Sequence, residues 1–191
     1  MEKIGLFFGS FNPIHVGHTI IANFMATATD LKKVWLVVSP QNPLKPKNTL
    51  ANDYERLHLV RLAIGNNPNL EACDIEFSMP KPSYTIDTLA YLKDKYPTKK
   101  FVLIMGGDNI ATLHKWKNYE QILANYEIYV YKRPTFEPGE LAGHSSLSFF
   151  DAPTFDISAT YIRNCIKEKK SVQYLVSDQV FEELEKSGLY R

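Results

Sequence analysis

Ten residues near the N-terminus, Gly9-Ser10-Phe11-Asn12-Pro13-Ile14-His15-Val16-Gly17-His18, restrict what this chain can become more than any other stretch. They follow an apolar run, Ile4 to Phe8, short enough for a buried strand. They lead into Thr19 to Ala26, which reads as a helix with a broad apolar face. The order is strand, tight loop, helix. In an open α/β sheet the first such turn lies at the carboxyl end of a central strand, where ligands bind. Small residues there admit close approach of the backbone to a ligand. The helix start offers unpaired N–H groups and a partial positive charge, which suit a phosphate. His15 and His18, three apart, share one face of that first turn.

Two other phosphate loops do not fit this turn. It holds neither G-x-x-x-x-G-K-[ST] nor G-x-G-x-x-G. What remains is a phosphate loop whose side-chain donors are two histidines. The bland alternatives are ordinary histidines near a helix start or an H-x-x-H metal pair, and a zinc site would need a third ligand that no standard spacing supplies.

The length of 191 residues suits a single domain, 1–191, with a C-terminal helical part from about residue 156. A formal net charge of +1 argues against holding nucleic acid by a broad basic surface. Cys73 and Cys165 can form neither a four-thiolate zinc site nor a secreted disulfide framework, so a cytoplasmic setting is expected. No apolar run reaches the length of a membrane span, and Pro13 interrupts the N-terminal apolar stretch, so neither membrane nor signal peptide is expected.

Along the chain, apolar runs alternate with helical patterns. Val34–Val38 reads as a second buried strand, followed by a loop with three prolines in Pro40–Pro46. Lys45 and Lys47 in that loop either reach a phosphate or are solvated surface charge. Asn52 or Asp53 caps a second helix, in which His58 reads as a half-buried structural histidine. Leu70–Ile75 is a third strand, and 76–83 a loop. A third helix starts near Ser83–Leu89, with Ser83 or Thr85 as cap. Phe101–Met105 is a fourth strand ending in Gly106-Gly107-Asp108-Asn109, where Asp108 meets a ribose hydroxyl or caps the next helix. Trp116 is a stacking platform or half-core. The polar alternation of Tyr126–Tyr131 suggests a less buried fifth strand, the 133–146 segment an exposed loop, and Leu147–Phe150 a last strand. Asp156 or Ser158 caps a helix whose first turn, with Arg163 one turn on, makes a second anion-binding start. Val172 to Leu184 reads as an amphipathic, core-packing C-terminal helix pair. Alternating β and α argue an α/β, Rossmann-like, doubly wound, mostly parallel sheet, whose strand ends gather the histidine loop, the Lys45 loop, the Asp108 turn and the Ser158 helix on one edge.

The H-x-G-H run resembles the nucleotidyltransferase superfamily of adenylyl- and cytidylyltransferases, and the related loop of class I aminoacyl-tRNA synthetases. With Pro82–Leu89, Gly106–Ile110, His114–Tyr119 and Ile157–Arg163, the chain resembles the bacterial nicotinate-nucleotide adenylyltransferases over nearly its whole length. That resemblance implies an ATP-dependent transferase of NAD biosynthesis that joins nicotinate mononucleotide to the AMP part of ATP, giving deamido-NAD and pyrophosphate. It implies catalytic roles for His15 and His18, with His18 nearest the reacting α-phosphate. Gly9, Ser10, Phe11, Lys45, Ser158, Thr160 and Arg163 would meet ATP and its phosphates. Tyr84, Thr85, Gly106, Asp108 and Trp116 would meet nicotinate mononucleotide. Mg²⁺ is expected on the ATP phosphates, with no protein cage. One departure is Ala159, where the family's I-S-S-T-x-x-R motif has Ser; the backbone N–H is kept. Phosphopantetheine adenylyltransferases usually carry Thr where His15 stands, and a class I synthetase would need a KMSKS-like loop, which is absent. Nicotinamide mononucleotide or another phosphorylated acceptor, and a nucleotide sensor without turnover, are the alternatives. Oligomeric state stays open.

Overall fold

The computed structural model describes residues 1–41, 50–132, 139–153 and 155–191. Among these, six strands form one sheet: β1 (Glu2–Gly9), β2 (Lys33–Val38), β3 (Leu70–Cys73), β4 (Lys99–Gly106), β5 (Glu127–Tyr131) and β6 (Leu147–Phe150). Their order is β3-β2-β1-β4-β5-β6, and all neighbouring pairs are parallel. This is a Rossmann-like α/β sheet.

Helices cover both faces, so the central strands are apolar on both sides. Phe7, Leu36, Val38, Val102 and Ile104 face one buried cluster with α1 (Val16–Ala28), α2 (Asp53–Ile64), α6 (Ala159–Lys167) and α7 (Asp178–Ser187). Ile4, Leu6, Trp35, Val37, Leu103 and Met105 face the other, with α3 (Thr85–Lys95) and α5 (Tyr119–Asn125). Ile162, Cys165, Val172, Val176, Val180 and Leu184 carry the C-terminal part into the first cluster. No helix among the described residues is long and apolar enough to cross a membrane.

Several local expectations are corrected. β5 is buried from Ile128 to Tyr131, because β6 covers its edge and helices cover its faces. β3 stops at Cys73, and Ile75–Ser78 forms a 3₁₀ turn that buries Ile75 and Glu76. Residues 119–125, to which the sequence pattern assigns no element, are helical. Val172–Val176 is a tight turn closed by a bridge between Gln173 and Val176, leaving α7 as one helix in the stretch read as a pair. His58 is exposed.

At the amino edge of the sheet, Lys3 Nζ meets Asp30 (2.6 Å) and Glu127 (2.8 Å). The Tyr129 hydroxyl donates to Asp30, and Lys100 pairs with Glu127. Lys3 holds the Asp30 carboxyl below its ordinary range; Lys100, then Lys3, does so for Glu127. The same partners raise the Lys3 ammonium, and burial pushes Tyr129 up to about 12. The depressed carboxylates stabilise the fold above their unfolded pKa of about 4 and lose that contribution as pH falls through the lower folded values. The raised Lys3 contributes below its unfolded value of 10.5 and loses it as pH rises through the folded one. Lys3→Met is expected to cost about 1 kcal/mol at pH 7, modest because Asp30 is largely solvated. It should also flatten the fall of melting temperature between pH 5 and pH 3. Melting curves across that range check both, and an unchanged acid limb would remove the cluster from the acid response.

Candidate active site

The strand order reverses at β1, so the gap between the β1 and β4 exits is the topological switch point. β1 and β4 pair in register, Phe7 beside Ile104, and their last residues, Gly9 and Gly106, reach the same edge. The histidine loop leaves from one and the Asp108 turn from the other.

His15 is the N-cap of α1, with extended backbone (φ −143°, ψ 171°), and His18 is the third helical residue. The His18 N–H donates to the His15 carbonyl (2.9 Å). In return, the His15 N–H donates to His18 Nδ1 (3.3 Å). The two rings stack at 3.7 Å between centroids, 29° from parallel. Phe11 meets His18 edge-on at 5.0 Å, and Phe7 lies 6.2 Å away. Because Nδ1 accepts, a neutral His18 carries its proton on Nε2, as a donor. His15 is buried and His18 half-buried. No acidic residue occupies the first turn of α1, so the positive helix end is not offset there.

The glycines seat rings as well as admitting backbone. A Cβ on Gly9 would lie 2.8 Å from the Phe11 ring, and one on Gly17 3.1 Å from the His15 ring. Phe11 takes a left-handed backbone (φ 43°), which turns its ring back over Gly9. A Cβ on Gly106 would stand 2.5 Å from Asp108 Oδ1, so that side chain folds back over the β4 exit. Asp108 lies inside the short helical turn α4 (Gly107–Ile110) and does not cap it.

The C-terminal helices close the edge. Ser158 caps α6 by accepting from the Tyr161 N–H (3.1 Å). Arg163 reaches across the chain, donating to the Asn12 carbonyl (2.8 Å) and to Thr160 Oγ1 (3.2 Å). The Val16 N–H donates to the Leu175 carbonyl (3.0 Å), which sets the C-terminal turn against the start of α1. Ser158, Thr160 and Arg163 are thereby gathered beside the histidine loop. Ser10 sits half-buried between β1 and that loop. Lys45 and Lys47 lie outside the described residues.

On the opposite flank, Tyr84 occupies the N-cap of α3 and Thr85 is its first residue. Neither Ser83 nor Thr85 caps this helix. The Ser83 hydroxyl donates instead to Glu76 (2.8 Å), as does that of Thr88 (2.7 Å). Lys117 Nζ stands 4.7 Å from the Tyr84 ring centroid and 2.8 Å from Asp87. That contact brings the half-buried Trp116 turn beside Tyr84 and Thr85.

Two organising residues escape a reading of the sequence. Arg56 in α2 is fully buried and bonded to the loops after β1 and β2. Glu76 is a buried carboxylate under Ser83 and Thr88. A lone Arg in a first helical turn and a Glu in a Pro-flanked loop both read as solvated, and no periodicity marks either.

The chain matches the cytidylyltransferase-like family over residues 6–165. It is 57% identical over 180 residues to a protein of Cytophaga hutchinsonii named "probable nicotinate-nucleotide adenylyltransferase", covering 94% of each chain. A protein of the same name from Flavobacterium psychrophilum is 52% identical over 191 residues, with 99% of each covered. Among solved structures, the nicotinic acid mononucleotide adenylyltransferase of Plasmodium falciparum, complexed with NaAD, superposes with a TM-score of 0.85 at 19% identity, covering 100% of this chain and 98% of that one, which speaks for the fold. An apolar strand, a histidine-capped helix at the switch point and this degree of identity along the whole chain lead to one conclusion: the chain belongs to the nicotinate-nucleotide adenylyltransferase family.

Proposed function

We infer that this protein transfers the adenylyl group of ATP to nicotinate mononucleotide, giving deamido-NAD and pyrophosphate in the cytoplasmic synthesis of NAD. The observation that carries the reading is the His15–His18 stack at the start of α1, with Arg163 tied to the same loop. It gathers nitrogen donors where a phosphate chain would meet a helix N-terminus.

In this reaction an anionic oxygen of the acceptor phosphate attacks the α-phosphorus of ATP. The bond to the β-phosphate bridging oxygen breaks, and pyrophosphate leaves with the electron pair. The attacking oxygen is already deprotonated, so the site needs no strong base. Alignment and charge neutralisation carry the rate. His18 Nε2–H is the donor for the α-phosphate. His15 holds the His18 ring, and with the backbone at Gly9, Ser10 and Phe11 lines the phosphate path. Arg163, Ser158 and Thr160 take the outer phosphates, and Lys45 adds charge from the β2 loop. Tyr84, Thr85 and Trp116 hold the nicotinate end, and Gly106 and Asp108 its ribose. The donors around the phosphates are imidazole, guanidinium and hydroxyl. This set fits Mg²⁺ carried on the phosphates, where it would offset charge on the leaving pyrophosphate.

Pyrophosphate release from Mg-ATP by purified protein tests the reading, with nicotinate mononucleotide, nicotinamide mononucleotide, phosphopantetheine and FMN offered separately. Release with the nicotinate compound, well above the amide, is expected. Equal release with the amide would remove the acid preference. Release with phosphopantetheine or FMN alone would overturn the acceptor, and ATP binding without release would favour a sensor.

A further inference from the structure

Among the described residues, Arg56 is the largest side chain with no exposure at all, and it lies outside the set of groups proposed to touch substrate. Its guanidinium is spent almost entirely on backbone. Nη1 donates to the carbonyls of Ser10 and Ser39 (2.9 Å to the latter). Nε donates to the Ala51 carbonyl (3.1 Å). Nη2 donates to Asp53 Oδ1 (2.7 Å), with a longer contact to the Pro40 carbonyl (3.4 Å). Asp53 Oδ2 in turn accepts from Lys81 (2.7 Å). One buried group therefore joins the loop after β1, the loop after β2 and the start of α2. The first of these follows Gly9 and carries Ser10 and Phe11, all three proposed above to line the phosphate path.

The consequence follows from peptide geometry. The C=O and N–H of a trans peptide point in opposite directions. With the Ser10 carbonyl drawn inward to Arg56, the Phe11 N–H of the same peptide is turned away from the interior. Phe11 is the residue whose left-handed backbone brings its ring against His18. Fixing that one peptide plane sets both an N–H donor and the edge of the ring that packs on His18. Arg163 fixes the Asn12 carbonyl two residues on, from the other side.

We propose that Arg56 is a positioning residue for adenylyl transfer: it orients the Ser10–Phe11 peptide and the β2 exit so that the phosphate donors meet the transition state. The proposal rests on the functional reading above. Lysine keeps the charge but is a point donor and cannot reproduce the fork that serves several carbonyls at once. Displacing a catalytic loop by about 1 Å can cost on the order of 10²-fold in rate.

The test compares Arg56→Lys with the unchanged protein and with Lys3→Met, which is weakened at the opposite edge of the sheet. Melting temperature, kcat, and KM for ATP and for nicotinate mononucleotide are measured. In Arg56→Lys, kcat is expected to fall by roughly 10- to 100-fold, with KM for the acceptor within about threefold. Lys3→Met should keep its kcat. A kcat for Arg56→Lys within twofold of the unchanged protein would overturn the proposal, as would an equal loss in Lys3→Met. If Arg56→Lys does not fold, Asp53→Asn takes its place. It removes the paired carboxylate and should lower kcat severalfold with the same split; kcat equal to that of the unchanged protein would again overturn it. Should the unchanged protein fail to turn over nicotinate mononucleotide, the functional reading falls by itself. Arg56 is then tested by affinity for a non-hydrolysable ATP analogue, expected to drop about tenfold in the variant and to stay level if the proposal is wrong.

Discussion

Replacing His18 by alanine is expected to lower kcat on the order of 10²–10³-fold, the loss typical of one transition-state donor. The lost ring is held in place before any substrate arrives. Its Nδ1 accepts from the His15 N–H, its face stacks on His15, and Phe11 packs against it edge-on. A donor held in this way need not reorganise as charge develops on the α-phosphate. Its contribution therefore falls on the chemical step, and kcat and kcat/KM should drop together while KM for ATP changes little. The variant also loses the acceptor for the His15 N–H, which should lower stability by about 1 kcal/mol. Melting curves separate that small effect from the kinetic one. Turnover near that of the unchanged protein, or a loss confined to the KM for ATP, would remove His18 from the chemistry.

The frame of the fold is legible in the sequence because its strands are unbroken apolar runs divided by helical patterns. Ile4–Phe8, Val34–Val38 and Phe101–Met105 each need cover on two faces, and a parallel sheet with crossover helices supplies it. What is not legible is context. Tyr129 and Tyr131 look like alternating surface positions, yet both are buried once β6 pairs beside them. Val172 and Val176 have helical spacing but are buried from a tight turn that closes against α1.

The site divides in the same way. In the candidate site the placement of His15, His18 and Ser158 is legible because each sits at a helix start following a strand, a local pattern, and Arg163 lies one turn further along the same helix as Ser158. The joining contacts are not, since they span great sequence distances: Arg163 to Asn12, Arg56 to Ser10, Lys117 to Asp87. Gly9 and Gly17 look like space for a ligand, and the structure shows each also making room for an aromatic ring. Thr85 looks like a helix cap, but the hydrogen bonding at that helix start runs through Ser83 and Thr88 to a carboxylate further back.

That carboxylate is the place where one substitution should most damage the acceptor side. Glu76 is 2% exposed, and its two oxygens accept from Ser83 and Thr88, themselves buried. Alanine at 76 would orphan the Ser83 hydroxyl and leave Thr88 only its longer bond to the Tyr84 carbonyl (3.3 Å). At about 1–3 kcal/mol for each buried group left unsatisfied, with a cavity added, Glu76→Ala should lose about 3 kcal/mol of stability. The kinetic effect should be one-sided. Ser83 adjoins Tyr84 and Thr85, so its release loosens the segment proposed to hold nicotinate, while the histidine loop keeps its own anchors in Arg56 and Arg163. KM for nicotinate mononucleotide is expected to rise about tenfold, roughly 1.4 kcal/mol of lost binding, with KM for ATP nearly unchanged. Glutamine keeps the volume and one acceptor oxygen, and its amide can donate to a hydroxyl that turns to accept, so Glu76→Gln should lose only about 1 kcal/mol. A Glu76→Ala protein that melts with the unchanged one would show that these hydroxyls find other partners at no cost. A rise in KM for ATP instead of the acceptor would place Glu76 under the wrong half of the site.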